Sequence, residues 1–233
     1  MKAFRRKGER YVARLDETER EIVAQLALDV AELLGATPAQ LTDALAAFEA
    51  AVATNPHERR GSPGDPWELP PLGGLEAALD ALGPTAQDPT EPLDPALRRL
   101  LPTASDDAEV AAEFRRFTQV DLRGLKIARL LALVRALGHG AAKDKLSVPR
   151  HAADLLAGAL VDVRLVLAER LGVEDDESAD ALYDELARAQ SGDTPESHGE
   201  ALRLHLAAAY AALTWLQESL ITAQLADLDA TDA

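Results

Sequence analysis

Alanine and leucine occupy 46 and 39 of the 233 positions, so two helix-favouring residues dominate the chain. Strand-favouring types are scarce. Val and Ile together number 15, and Phe, Trp and Tyr together number 9, which argues against a sandwich, a barrel or a large sheet. The expectation is a mainly α fold: a multi-helix bundle with a small N-terminal β-hairpin and a long Pro-rich linker. The length suits one helical domain carrying an insertion. With no cysteine, a disulfide framework, thiol catalysis and thiolate metal sites are excluded.

The formal charge is −16, and phosphate backbones repel such a protein, so no nucleic-acid partner is expected. The charge is uneven. Residues 1–14 carry +5, from Lys2, Arg5, Arg6, Lys7, Arg10 and Arg14 against Glu9, which leaves −21 for the remainder. No apolar run follows this basic start, so it does not read as a secretory signal. The longest nearly uncharged stretch of the last helix, residues 204–216, is shorter than the roughly 20 apolar residues a bilayer requires. No membrane partner is expected, and the expected compartment is the cytoplasm.

Residues 3–15 read as a hairpin turning at Lys7-Gly8, with Phe4 opposite Tyr11 and Arg6 opposite Glu9. Asp16 and Glu19 form a capping-box pattern ahead of a helix to about Leu34, with a stripe of Ile22, Leu26, Val30 and Leu33. Thr37-Pro38 opens a second helix. Ten of the 13 prolines lie in residues 54–102. Residues 54–102 therefore read as a long linker with short helices at most, at about 74–82 and 95–101, of which residues 54–92 are a mobile insertion that Trp67 and Leu69 are able to pin to the core. Helical patterns then run over 105–137, from Pro149 to Leu171, near 178–189, and over 196–225. Residues 227–233 read as an acidic tail. A marginal hairpin needs support, and its basic residues suit an acidic surface. That surface is expected on the same chain, on a second copy in a homodimer through the hairpin, or on another protein.

Two segments, residues 155–168 and 204–216, are apolar nearly all round, the mark of buried core helices. The first contains Asp162 and Arg164 as its only charges. On the long helix, Val110, Phe114, Phe117 and Leu125 fall within about 80° of one another with Asp121 among them, so Asp121 is expected to point inward. Buried charges must pair, so Asp121, Asp162 and Arg164 are expected to join one another or Arg116 and Arg123 in a network. The structural reading of that network is preferred. The alternative is an enzyme with a carboxylate/arginine site around Asp121, Asp162 and Arg164. Scattered candidates such as His151 with Asp154, or His198, Glu200 and His205, lack metal-ligand spacing. There is no phosphate loop and no nucleophile elbow. Tyr210 with Trp215 reads as core. No catalytic residue, cofactor or metal is assigned.

Three segments together carry a resemblance. The first is Asp94-Pro95-Ala96-Leu97-Arg98-Arg99-Leu100-Leu101-Pro102 with Glu113-Phe114-Arg115-Arg116-Phe117-Thr118 and Asp121-Leu122-Arg123. The second is Asp162-Val163-Arg164-Leu165-Val166-Leu167 with Arg170-Leu171. The third runs from Tyr210 to Trp215-Leu216-Gln217-Glu218-Ser219-Leu220. The chain resembles the actinobacterial family catalogued as domain of unknown function two thousand and seventeen, outside residues 54–92. It departs at Val161, where that family commonly has Asn. The resemblance implies no reaction. The family's genes often lie beside that of the Clp protease adaptor, and near genes for a deubiquitinase-like metallopeptidase and a ubiquitin-like sulfur carrier. That neighbourhood implies a link to regulated proteolysis or sulfur transfer. The expected function is therefore a non-enzymatic cytoplasmic helical protein acting through protein contacts.

Overall fold

Local signals start most of the elements. A computed structural model describes residues 1–54, 67, 92–138, 144–192, 195 and 197–229. Strands β1 (Lys2–Lys7) and β2 (Arg10–Arg14) form the expected hairpin, but its register differs. Arg6 faces Tyr11 and Lys7 faces Arg10, with a bulge between Lys2 and Arg5. The turn centres on Gly8-Glu9, because Gly8 at φ +60° suits the first central position of a tight hairpin turn. A shift of two positions keeps every side chain on its face, so Phe4 and Tyr11 are still buried.

Helix α1 (Glu17–Leu33) starts at the Asp16–Glu19 capping box. Its buried face is Val23, Ala27, Val30 and Ala31, whereas Ile22 is 47% exposed, so the expected stripe is rotated by about one residue. The small side chains of Ala27 and Ala31 sit on the buried side, where they permit close approach of a neighbouring helix. Next come α2 (Pro38–Thr54) and α3 (Pro95–Leu100). Asp94 caps α3 and accepts from Arg170 at 2.5 Å, which holds its carboxyl below the usual range. The long helix α4 (Ala108–Gly138) follows.

A third strand, β3 (Lys145–Pro149), appears where only a helix start was expected. Pro149 closes that strand. One 3-10 turn follows at Arg150–Ala152, and α5 (Ala153–Leu171) begins after it. β3 pairs antiparallel with β2, giving the order β1-β2-β3 and covering one hairpin edge. Five residues are too short for periodicity to reveal, yet an uncovered hairpin would be marginal. Gly172, at φ +72°, ends α5 in the left-handed conformation. Helices α6 (Asp176–Gln190) and α7 (His198–Asp229) complete the described chain.

α5 packs against α1, α3, α4 and α7 and is the buried helix expected from its composition. α7 is not buried all round. Ala207, Tyr210, Leu213, Leu216 and Leu220 form its inner face, while Trp215 is 42% exposed, so only Tyr210 of that aromatic pair is core. α7 also runs along β1, where Ser219 Oγ accepts the Phe4 N–H at 3.1 Å and closes the other hairpin edge.

Asp227 belongs to α7, not to an acidic tail. It is buried against the sheet, accepting from Tyr11 Oη at 2.9 Å and pairing with Arg150 at 2.6 Å and with Arg6. Burial, then the neighbouring Asp227, push the Tyr11 hydroxyl upward. The partners lie more than 70 positions away along the chain, so local sequence could not reveal this role. One acidic contact of the hairpin, Asp227 with Arg6, is thus on its own chain. Most of the proline-rich stretch, with Leu69 and residues 74–82, lies outside the described residues. Trp67 within it is fully buried, donating Nε1–H to the Ser147 carbonyl at 2.8 Å.

Removing this anchor tests the packing. Trp67→Ala should lower unfolding free energy by about 3–5 kcal/mol in urea denaturation followed by circular dichroism. A loss below about 1 kcal/mol would contradict the buried placement.

Candidate functional site

Residues two apart on a helix point about 200° apart. Asp162 and Arg164 therefore serve different neighbours of α5. Asp162 is 0% exposed and faces α4. Lys126 Nζ lies 2.6 Å from its Oδ1, and Arg129 Nε donates to Oδ2 at 2.6 Å, with Arg129 Nη2 also paired to Oδ2. Both carboxylate oxygens are thus engaged by cations three positions apart on α4, one face of one helix.

Asp162 is in the buried network the sequence led us to expect, but with different partners. Arg116, Asp121, Arg123 and Arg164 do not join it. Arg116 is exposed, its guanidinium 5.1 Å from the Phe117 ring centre. Asp121 is exposed, against expectation. Arg123 is half-buried and donates to the Leu34 carbonyl at the end of α1 at 3.5 Å, and burial pulls its pKa down. Lys126 and Arg129 carry no signal of this role in the sequence, because they lie on α4 outside the nearly uncharged segments 155–168 and 204–216. Gly158 was the available signal. A Cβ there would lie 2.5 Å from Arg129 Nη1, so glycine one turn before Asp162 opens the space that the guanidinium occupies.

The misplacement of Asp121 has a clear cause. Periodicity locates an apolar face but not which way it points. In the first half of α4 the inward side chains include Ala111 and Gln119. The apolar set lies outside: Val110, Phe114, Phe117, Val120 and Leu125, with Phe117 63% exposed. Asp121 sits within that outward stripe.

Arg164 faces the opposite way, into an open cleft of about 300 Å³ formed by α5, α6, α7 and Arg99 of α3. Thr214 Oγ1 accepts from its Nε at 2.9 Å, Gln217 Oε1 accepts from Nη1 at 2.7 Å, and the Tyr210 ring centre lies 5.5 Å away. Val161, Leu165, Ala168, Val173 and Ala179 give the wall its apolar part, and Glu174, Asp175 and Asp176 its acidic part. Hydrogen bonds from the Ser178 backbone and side chain hold Asp175 below the usual carboxylate range.

The arrangement separates the sequence-derived candidates onto three surfaces. Asp162 is consumed by its ion pairs, Asp121 is on the outer stripe, and Arg164 is in the cleft. They do not converge on one reaction centre. Among the described residues no single helix is long and apolar enough to cross a membrane. The family model described as domain of unknown function (DUF2017) matches residues 1–224. No curated protein and no solved structure matches the chain.

The geometry ranks two substitutions. Asp162→Asn leaves Lys126 and Arg129 without a counter-charge and should cost about 3–5 kcal/mol. Arg164→Ala removes bonds to neutral groups only and should cost about 1–2 kcal/mol. Urea unfolding of both variants checks the order, and a larger loss at Arg164 would contradict the assignment.

Proposed function

The chain belongs to the DUF2017 family, and we propose that it is a helical docking protein that acts through protein contacts rather than through a reaction at its charged residues. The observation that carries this reading is the outward stripe of α4. Val110, Phe114, Phe117, Val120 and Leu125 are each 44–63% exposed along one side of one helix. Single exposed apolar residues are ordinary, but a contiguous apolar face is the mark of a contact surface. A helix face with anchors at i, i+4 and i+7 suits a partner helix or groove.

The chemistry of the rim narrows the partner. Glu113 falls beside the stripe and Asp121 within it by helical spacing, with Arg116 over the Phe117 ring, on a chain of net charge −16. The fitting partner is a protein with an apolar face flanked by basic residues. The family resemblance directs the search for it to regulated proteolysis. The docking reading is preferred to the alternative of an enzyme around Asp121, Asp162 and Arg164, because Asp162 is paired with Lys126 and Arg129, Asp121 is exposed on the stripe and Arg164 lines the cleft.

A photo-reactive phenylalanine analogue at position 117 tests the reading in the native host. It should cross-link one partner protein that the same analogue at Tyr183 on α6 does not capture. Phe114→Ser should abolish that cross-link, and should shift stability by less than about 1 kcal/mol because the residue is half exposed. Identical capture at both positions, or a loss of several kcal/mol from Phe114→Ser, would overturn it.

A further inference from the structure

The cleft beside Arg164 combines features that the docking stripe does not use. Arg99, the other arginine on its wall, is matched: it pairs with Glu169 at 2.6 Å and donates to the Val173 carbonyl at 3.1 Å. Arg164 is not matched. Among the described residues it makes no ion pair, and its fixed contacts are a hydroxyl, an amide oxygen and an aromatic ring. Those contacts use two of the five guanidinium N–H donors and hold the fork in one plane. The Thr214 hydroxyl is itself fixed, donating to the Tyr210 carbonyl at 2.8 Å. Such an oriented, half-buried cation without a carboxylate is prepared for an external one.

The opposite charge on the same cleft is equally unmatched. Among the described residues Glu174 and Asp176 make no ion pair, and both are exposed. Asp175 differs, since its carboxylate is occupied in capping α6. The first turn of α6 is therefore already capped and offers no anion site of its own. The apolar side chains of Val161, Leu165, Ala168 and Val173 line the same cleft. A volume of about 300 Å³ is at the small end of ligand sites, and convergent polar groups over an apolar wall are what such sites present.

We propose that this cleft binds a small zwitterion, an amino acid or short peptide, with its carboxylate on Arg164 and its ammonium facing Glu174 and Asp176. A simple anion would be repelled by the acidic turn, and a simple cation by Arg164. A ligand carrying both charges satisfies both walls, and its side chain lies against the apolar strip.

Titration of the isotope-labelled full chain with a panel of free L-amino acids and dipeptides, followed by amide resonances, tests this. At least one zwitterion should cause saturable shifts confined to residues 161–168, 173–179 and 210. Blocking its carboxylate as an amide, or its ammonium as an N-acetyl group, should each weaken binding at least about tenfold. Arg164→Gln should abolish the shifts. The exposed double variant Glu174→Gln/Asp176→Asn should weaken binding about tenfold at an unchanged melting temperature, which keeps the test valid if Arg164→Gln folds poorly. Binding by free amino acids identifies a small-molecule site, and binding by dipeptides alone identifies a site for peptide. No saturable shift with any panel member would overturn the proposal, as would equal affinity for the blocked forms.

Discussion

The burial of one carboxylate organises the helical layer. Asp162 lies in the middle of the most enclosed helix, with no exposure to water. A lone charge there would cost several kcal/mol, so cations must be brought to it. α4 supplies two, Lys126 and Arg129, and this fixes both how far α4 slides along α5 and how it is rotated. The rotation has consequences far along the helix. Phe117 is nine residues before Lys126, and at 100° per residue the two point about 180° apart. Turning Lys126 toward Asp162 therefore turns Phe117 and its apolar neighbours outward. On α5 the same constraint turns Arg164 away from α4 and into the cleft beside Tyr210.

A second buried carboxylate plays the corresponding part for the sheet. Asp227 joins α7 to Tyr11 of β2, to Arg6 of β1 and to Arg150 after β3. Three strands of five or six residues have little apolar area to hold them. The hairpin's two edges are met by other parts of the chain, β3 on β2 and α7 along β1. The positive charge of the first 14 residues is thus partly used inside the molecule.

Much of this architecture was legible in the sequence. Asp16 with Glu19, Pro95 and Gly172 mark helix ends through rules that act within a few residues, and those ends fall close to where they were expected. The shape of α5 followed from its nearly uncharged run. What was lost depended on which partner arrives. β3 is a strand because β2 needs a neighbour, not because KLSVP has a strong preference. Asp227 reads as tail until Arg6, Tyr11 and Arg150 are seen around it. Asp121 and Asp162 look alike in a helical projection, and only the facing helix separates the exposed one from the buried one. Gly158 was the one local clue to the Asp162 pairing, since a glycine inside a helix needs a reason of about 1 kcal/mol.

The claim that a buried ion-pair cluster sets the α4–α5 arrangement is tested most directly by a double-mutant cycle. Asp162→Asn, Arg129→Gln and the double variant would each be unfolded in urea at neutral pH and low salt. The account predicts that the double variant is more stable than the sum of the single losses allows, with a coupling of about 1–3 kcal/mol. Losses that add to within about 0.5 kcal/mol would contradict it, since independent residues cannot set the rotation of one helix on another.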